Sequence, residues 1–132
     1  MNSLTDWNTF ARRWCEDWNV HDLDRVLSHF ADDVVFTSPV AGQLMPETSG
    51  RLIGKAALRG YWEEGLRRIS DLRFTVERVF GGVDTVVIQY RNQRSALVSE
   101  VLRLRDGKVA EGHGAYEVGF VNPAGLADGA AA

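Results

Sequence analysis

ALVSEVLRLRDGKVAEGHGAY, residues 96–116, is the stretch whose reading decides the fold. Apolar side chains alternate with polar ones up to Asp106-Gly107. That dipeptide favours a two-residue hairpin turn, because both of its residues tolerate positive φ. Two antiparallel strands follow. With a two-residue turn, Arg105 pairs with Lys108 and Glu100 falls directly across from His113. One face of the first strand carries Ala96, Val98, Glu100, Leu102 and Leu104; the other carries Leu97, Ser99, Val101, Arg103 and Arg105. A carboxylate on an otherwise apolar face must be paired, hydrogen-bonded or protonated, since burying the bare charge is costly. Directly opposed residues share a face with Cβ atoms roughly 5 Å apart. Glu100 and His113 therefore read as a catalytic acid/base couple, and equally as a structural polar pair at a pocket edge or a dimer contact. A longer turn would shift the register and send His113 to the other face. Gly112 and Gly114, which flank it, mark either a bulge or room for a ligand or a neighbouring side chain.

Two further strands precede this hairpin, over residues 72–80 and 83–91, with Gly81-Gly82 as their turn. A weaker turn at Asn92–Ser95 leaves open which face Tyr90 occupies. Upstream, the period changes. Trp7, Phe10, Ala11, Trp14, Cys15 and Trp18 recur every three to four residues, the mark of one buried helix face. Leu23, Val26, Leu27 and Phe30 repeat the pattern after Asp22, a plausible cap. Val34–Ser38 reads as a strand stopped by Pro39. Residues 40–53 read as an irregular pocket wall or lid, and a third helix is expected from Lys55 to Ile69. Helices segregated from consecutive hairpins make an α+β domain over residues 1–122, followed by a flexible Gly/Ala-rich tail, 123–132.

The chain has 132 residues, a formal net charge of −3, 45% hydrophobic and 25% charged residues. With no basic run, nucleic acid is not the expected partner. Nothing approaches ~18 consecutive apolar residues, so no membrane span is expected. The first six residues do not read as a signal peptide, and Cys15 alone cannot build a disulfide framework; a cytoplasmic setting is expected. His21, His29 and His113 lack metal-ligand spacing, and no phosphate loop or dinucleotide fingerprint occurs, so no cofactor is expected. The expected partner is a small hydrophobic molecule, in a pocket lined by Trp14, Trp18, Phe36, Ser38, Tyr61, Trp62, Tyr90 and Tyr116. Each of these rings also reads simply as core.

Three segments carry a family likeness. Phe30-Ala31-Asp32-Asp33-Val34-Val35-Phe36-Thr37-Ser38-Pro39, Gly54…Leu58-Arg59-Gly60-Tyr61-Trp62, and the hairpin from Glu100 to Tyr116 resemble the nuclear transport factor 2-like superfamily, in particular its SnoaL-like branch. The resemblance implies a cone-shaped curved antiparallel sheet wrapped around three N-terminal helices and enclosing a pocket. It also implies a homodimer through the outer sheet face, with Val87, Gln89, Arg91, Leu97, Ser99, Val101 and Arg103 as contact candidates. Against ketosteroid isomerases, the base position falls on Ser38, the oxyanion tyrosine on Trp14 and the neutral acid on Glu100; only the last keeps a carboxyl. Steroid isomerisation is not expected. Val98 stands where limonene-epoxide-hydrolase-like members look as if they need an arginine, which counts against epoxide hydrolysis. Two readings remain: a cofactor-free isomerase, cyclase or lyase using Glu100 and His113, or a non-catalytic binding or dimerisation module.

Overall fold

The computed structural model describes residues 4–125, with side chains from residue 6. Helix α1 (Leu4–Asn19) buries Trp7, Phe10, Ala11, Trp14 and Trp18 along one face, as the spacing predicts. The short helix α2 (Leu23–Leu27) starts where the Asp22 carboxylate accepts the Arg25 N–H at 3.1 Å. Strand β1 (Phe30–Thr37) follows and puts Phe30, Val34 and Phe36 into the core.

Residues 40–53 are more regular than the sequence suggests. Pro39 does not merely stop the strand. It opens a helix, α3 (Pro39–Leu44), capped by the Ser38 hydroxyl, which accepts the Val40 N–H at 3.2 Å. Proline suits the first helical position, where its missing N–H has no partner to lose. A 3-10 turn (Pro46–Thr48) and a short strand, β2 (Arg51–Ile53), complete the segment. Gly50, at φ 80°, makes the reversal that returns β2 antiparallel to β1. Helix α4 (Lys55–Arg68) then lays Leu58, Tyr61 and Trp62 inward. Among the described residues there are thus four α-helices rather than three, and none of them is long and apolar enough to cross a membrane.

The remaining strands are β3 (Thr75–Gly82), β4 (Thr85–Arg91), β5 (Leu97–Arg105) and β6 (Lys108–Tyr116). They form one curved sheet in the order β2-β1-β6-β5-β4-β3, antiparallel except where β1 runs parallel to β6. Gly81-Gly82 is not the first turn. Both residues stay in β3, and Val83-Asp84 turn the chain, with Asp84 at φ 50°. Asp106-Gly107 is a turn as expected, with φ of 52° and 78°.

The β5–β6 register differs from the expectation in one place. Arg105 does pair with Lys108, and Leu104 with Val109. The next pair is Arg103 with Glu111, so Ala110 is an extra residue, a β-bulge. Beyond it every partner has moved by one: Glu100 faces Gly114, and His113 faces Val101. Because side chains alternate across a strand, that single insertion carries His113 to the outer face. The expected Glu100–His113 couple does not form. Between β4 and β5, Ile88 pairs with Glu100 and Tyr90 with Val98, which turns Tyr90 inward.

The candidate active-site cavity

A cavity of about 70 Å³ lies between α4 and the inner face of the sheet. Trp18, Phe36, Ser38, Tyr61, Trp62, Tyr90 and Tyr116 line it together with Glu100. Seven of the eight expected lining residues are therefore brought together. The exception is Trp14, which is 2% exposed and packs behind the wall, its ring 5.6 Å from Phe74 and 5.2 Å from Tyr90. Both Trp14 and Trp18 obey the helical period, but Phe74 takes the place nearer the cavity. Sequence reading missed Phe74, which precedes β3, and Asn92 at the end of β4. It also missed Pro123 and Ala124. These two belong to the segment expected to be a flexible tail. Instead Ala124 is buried in the core cluster; residues 126–132 lie outside the described part of the chain.

Pro123 and Ala124 close one side of the cavity, with the Ala124 N–H donating to Asn122 Oδ1 at 2.8 Å. Their segment has no regular structure, and an exposed Asn122–Gln43 side-chain bond of 2.8 Å ties it to α3. The cavity is smaller than the roughly 300–1,000 Å³ of most small-molecule sites.

The polar groups of the cavity form two hydrogen-bonded pairs, Tyr90 with Glu100 and Ser38 with Tyr61. The Tyr90 hydroxyl donates to Glu100 Oε1 at 3.0 Å. Ser38 Oγ and the Tyr61 hydroxyl share a hydrogen bond of 3.2 Å. Burial pushes the Glu100 pKa up to about 7, and the Tyr90 hydrogen bond only partly offsets it. At neutral pH the carboxyl is therefore near its midpoint, able to give or to take a proton. Tyr61, Tyr90 and Tyr116 are all raised above the ordinary tyrosine value, chiefly by burial and with help from the Glu100 charge. They stay neutral, and Tyr90 is the one with an assigned donor role, toward Glu100.

His113 is on the outside. Its Nδ1 lies 2.6 Å from Thr37 Oγ1, and its Nε2 lies 2.7 Å from Glu111 Oε2. The Glu111 carboxyl is held below its usual value by that hydrogen bond and by the His113 charge. Gly112 and Gly114 serve the second of the two expected roles. A Cβ on Gly112 would lie 2.8 Å from Phe36 Cδ2, so this glycine makes way for a core ring. A Cβ on Gly114 would meet Glu100 Oε1 at 3.6 Å and Ser38 Oγ at 3.8 Å, so this one leaves space beside the polar corner.

The SnoaL-like domain family matches residues 11–112. The chain belongs to this family. Similar solved structures include relatives from the same family. A SnoaL-like protein of unknown function from Burkholderia thailandensis is 40% identical, with a TM-score of 0.83, over 87% of this chain and 97% of its own. AclR from Streptomyces galilaeus, a proposed hydroxylase, is 20% identical with a TM-score of 0.70, over 89% and 92%. TerC, co-crystallised with polyporic acid, is 17% identical with a TM-score of 0.68, over 83% and 91%. A search among curated proteins gave no match. At these identities the last two structures support the fold of this SnoaL-like domain and leave its chemistry to the cavity itself.

Proposed function

We propose that this SnoaL-like domain binds a small, largely apolar molecule in the cavity and that Glu100 performs general acid/base chemistry on it. The observation that supports this reading is a single carboxyl, with a pKa near 7, inside a wall of aromatic rings. Such a group can remove a proton from one atom of the ligand and return it to another, as an isomerase, cyclase or lyase requires. Tyr90 holds the carboxyl in place through Oε1. The Ser38–Tyr61 pair offers a second polar contact for a ligand oxygen. His113 has no part in this chemistry, because the sheet lies between it and the cavity.

The test is turnover across a panel of small aryl ketones and phenols. Glu100→Gln is expected to lower turnover at least ~100-fold, the usual scale for such groups. His113→Ala is expected to leave it within about threefold. Equal losses in the two variants would sink the assignment. A second reading is a non-catalytic binder. It draws support from the lack of a histidine partner for Glu100, and binding across the panel without conversion would establish it. We also propose that the outer face, with Val87, Leu97 and Val101, pairs with a second copy of the chain. Light scattering that shows a monomer at micromolar concentration would exclude this.

A further inference from the structure

Two glycines on β6 differ in what surrounds them. At Gly112 the space for a side chain is already taken by Phe36 and Leu102. At Gly114 it is not. The three atoms nearest to a Cβ there are Glu100 Oε1, Ser38 Cβ and Ser38 Oγ, at 3.6, 3.8 and 3.8 Å. Those are ordinary van der Waals distances, so a methyl-sized gap is left beside the carboxyl and the hydroxyl. Both of those side chains also line the cavity. Gly114 is buried, and its backbone is outside the positive-φ region, so no turn or strain demands a glycine there.

Glycine in a strand costs stability unless something needs the space. Among the described residues, no atom comes closer than 3.6 Å to this space. The Ser38 hydroxyl and the Glu100 carboxyl supply a donor and an acceptor at its edge. We propose that Gly114 is the specificity-determining position of the cavity: it keeps open a niche between Glu100 and Ser38 that admits one oxygen atom of an otherwise apolar ring. This rests on the cavity being the ligand site. It goes further by stating which ligands the site prefers and which backbone position enforces the preference.

The niche distinguishes two ligands of one shape that differ by one oxygen. Phenol and benzene are such a pair, and their binding to the full chain can be followed by calorimetry. Gly114→Ala places a methyl group in the niche. It is expected to weaken phenol at least ~10-fold, the scale of one lost buried hydrogen bond, and to change benzene less than about threefold. Equal weakening of both ligands, or no change in either, overturns the proposal while leaving the cavity as the binding site. If neither ligand binds the unaltered chain at millimolar concentration, the binding reading and this inference fall together. Thermal unfolding supplies the control. Gly114→Ala should melt within a few degrees of the parent, and loss of the folded state would show that no such gap exists.

Discussion

Glu100 and Glu111 are glutamates on neighbouring strands, and the sheet between them sends their chemistry in opposite directions. Glu100 projects inward, and burial raises its pKa to about 7. Glu111 projects outward, and the imidazole of His113, 2.7 Å away, lowers its pKa. The difference is one of surroundings. An ion pair at a wet surface gains little, because water competes for both partners. Among the described residues, the hydrogen bond to the Glu100 carboxyl comes from the Tyr90 hydroxyl, which offsets only part of its lost hydration. The bulge at Ala110 produced this separation by removing the histidine from the interior.

The two faces should respond to pH with opposite sign. Between pH 4.5 and about 7 the folded chain keeps a proton on Glu100 that the unfolded chain has released. The folded state binds more protons there, so the Glu100 contribution falls as pH rises through that window. At full effect the loss is about 3 kcal/mol. Glu100→Gln should remove most of this slope in urea unfolding measured from pH 5 to 8.5. An unchanged slope would mean that the carboxyl is not enclosed. Glu111 acts the other way. Its contribution is present above its unfolded pKa and is lost as pH falls through the lower, folded value.

A smaller effect tests the packing of the inner face. Gly112→Ala would put a methyl group 2.8 Å from the Phe36 ring, which is itself wedged against Phe30 and Trp62. Overpacking of this kind costs about 1–3 kcal/mol. A drop in melting temperature of several degrees is expected, against the near-neutral change at Gly114. The smallest effect belongs outside. His113→Ala breaks two hydrogen bonds on a partly solvated face and should cost no more than about 1 kcal/mol. A larger loss would show that the outer face is covered, for example by a second copy of the chain.

Much of this arrangement is legible in particular residues. Asp106-Gly107 announces its own turn, because few other pairs take positive φ twice at so little cost. The alternation in β5 announces that Glu100 faces inward with Val98, Leu102 and Leu104. The bulge is not announced. Neither Ala110 nor Glu111 has a preference that marks an extra residue, and the glycines beside them pointed to the wrong place. Ser38-Pro39 read as a strand end, and the structure adds that the same two residues open α3, because the Ser38 hydroxyl caps it and proline suits its first position. The aromatic period of α1 identified Trp14 and Trp18 as buried but could not rank them by distance from the cavity. That ranking depends on Phe74, 56 residues beyond Trp18 in the chain.

Local preference settled where this chain turns, which helix and strand faces avoid water, and that one acid is directed into the apolar side. Those properties depend on a residue and its near neighbours, so the order of amino acids carries them. Which group answers that acid was decided by the folded molecule. Ring packing around Phe36 and the one-residue insertion at Ala110 are contacts between distant segments, and they gave Glu100 a tyrosine and an empty niche in place of a histidine.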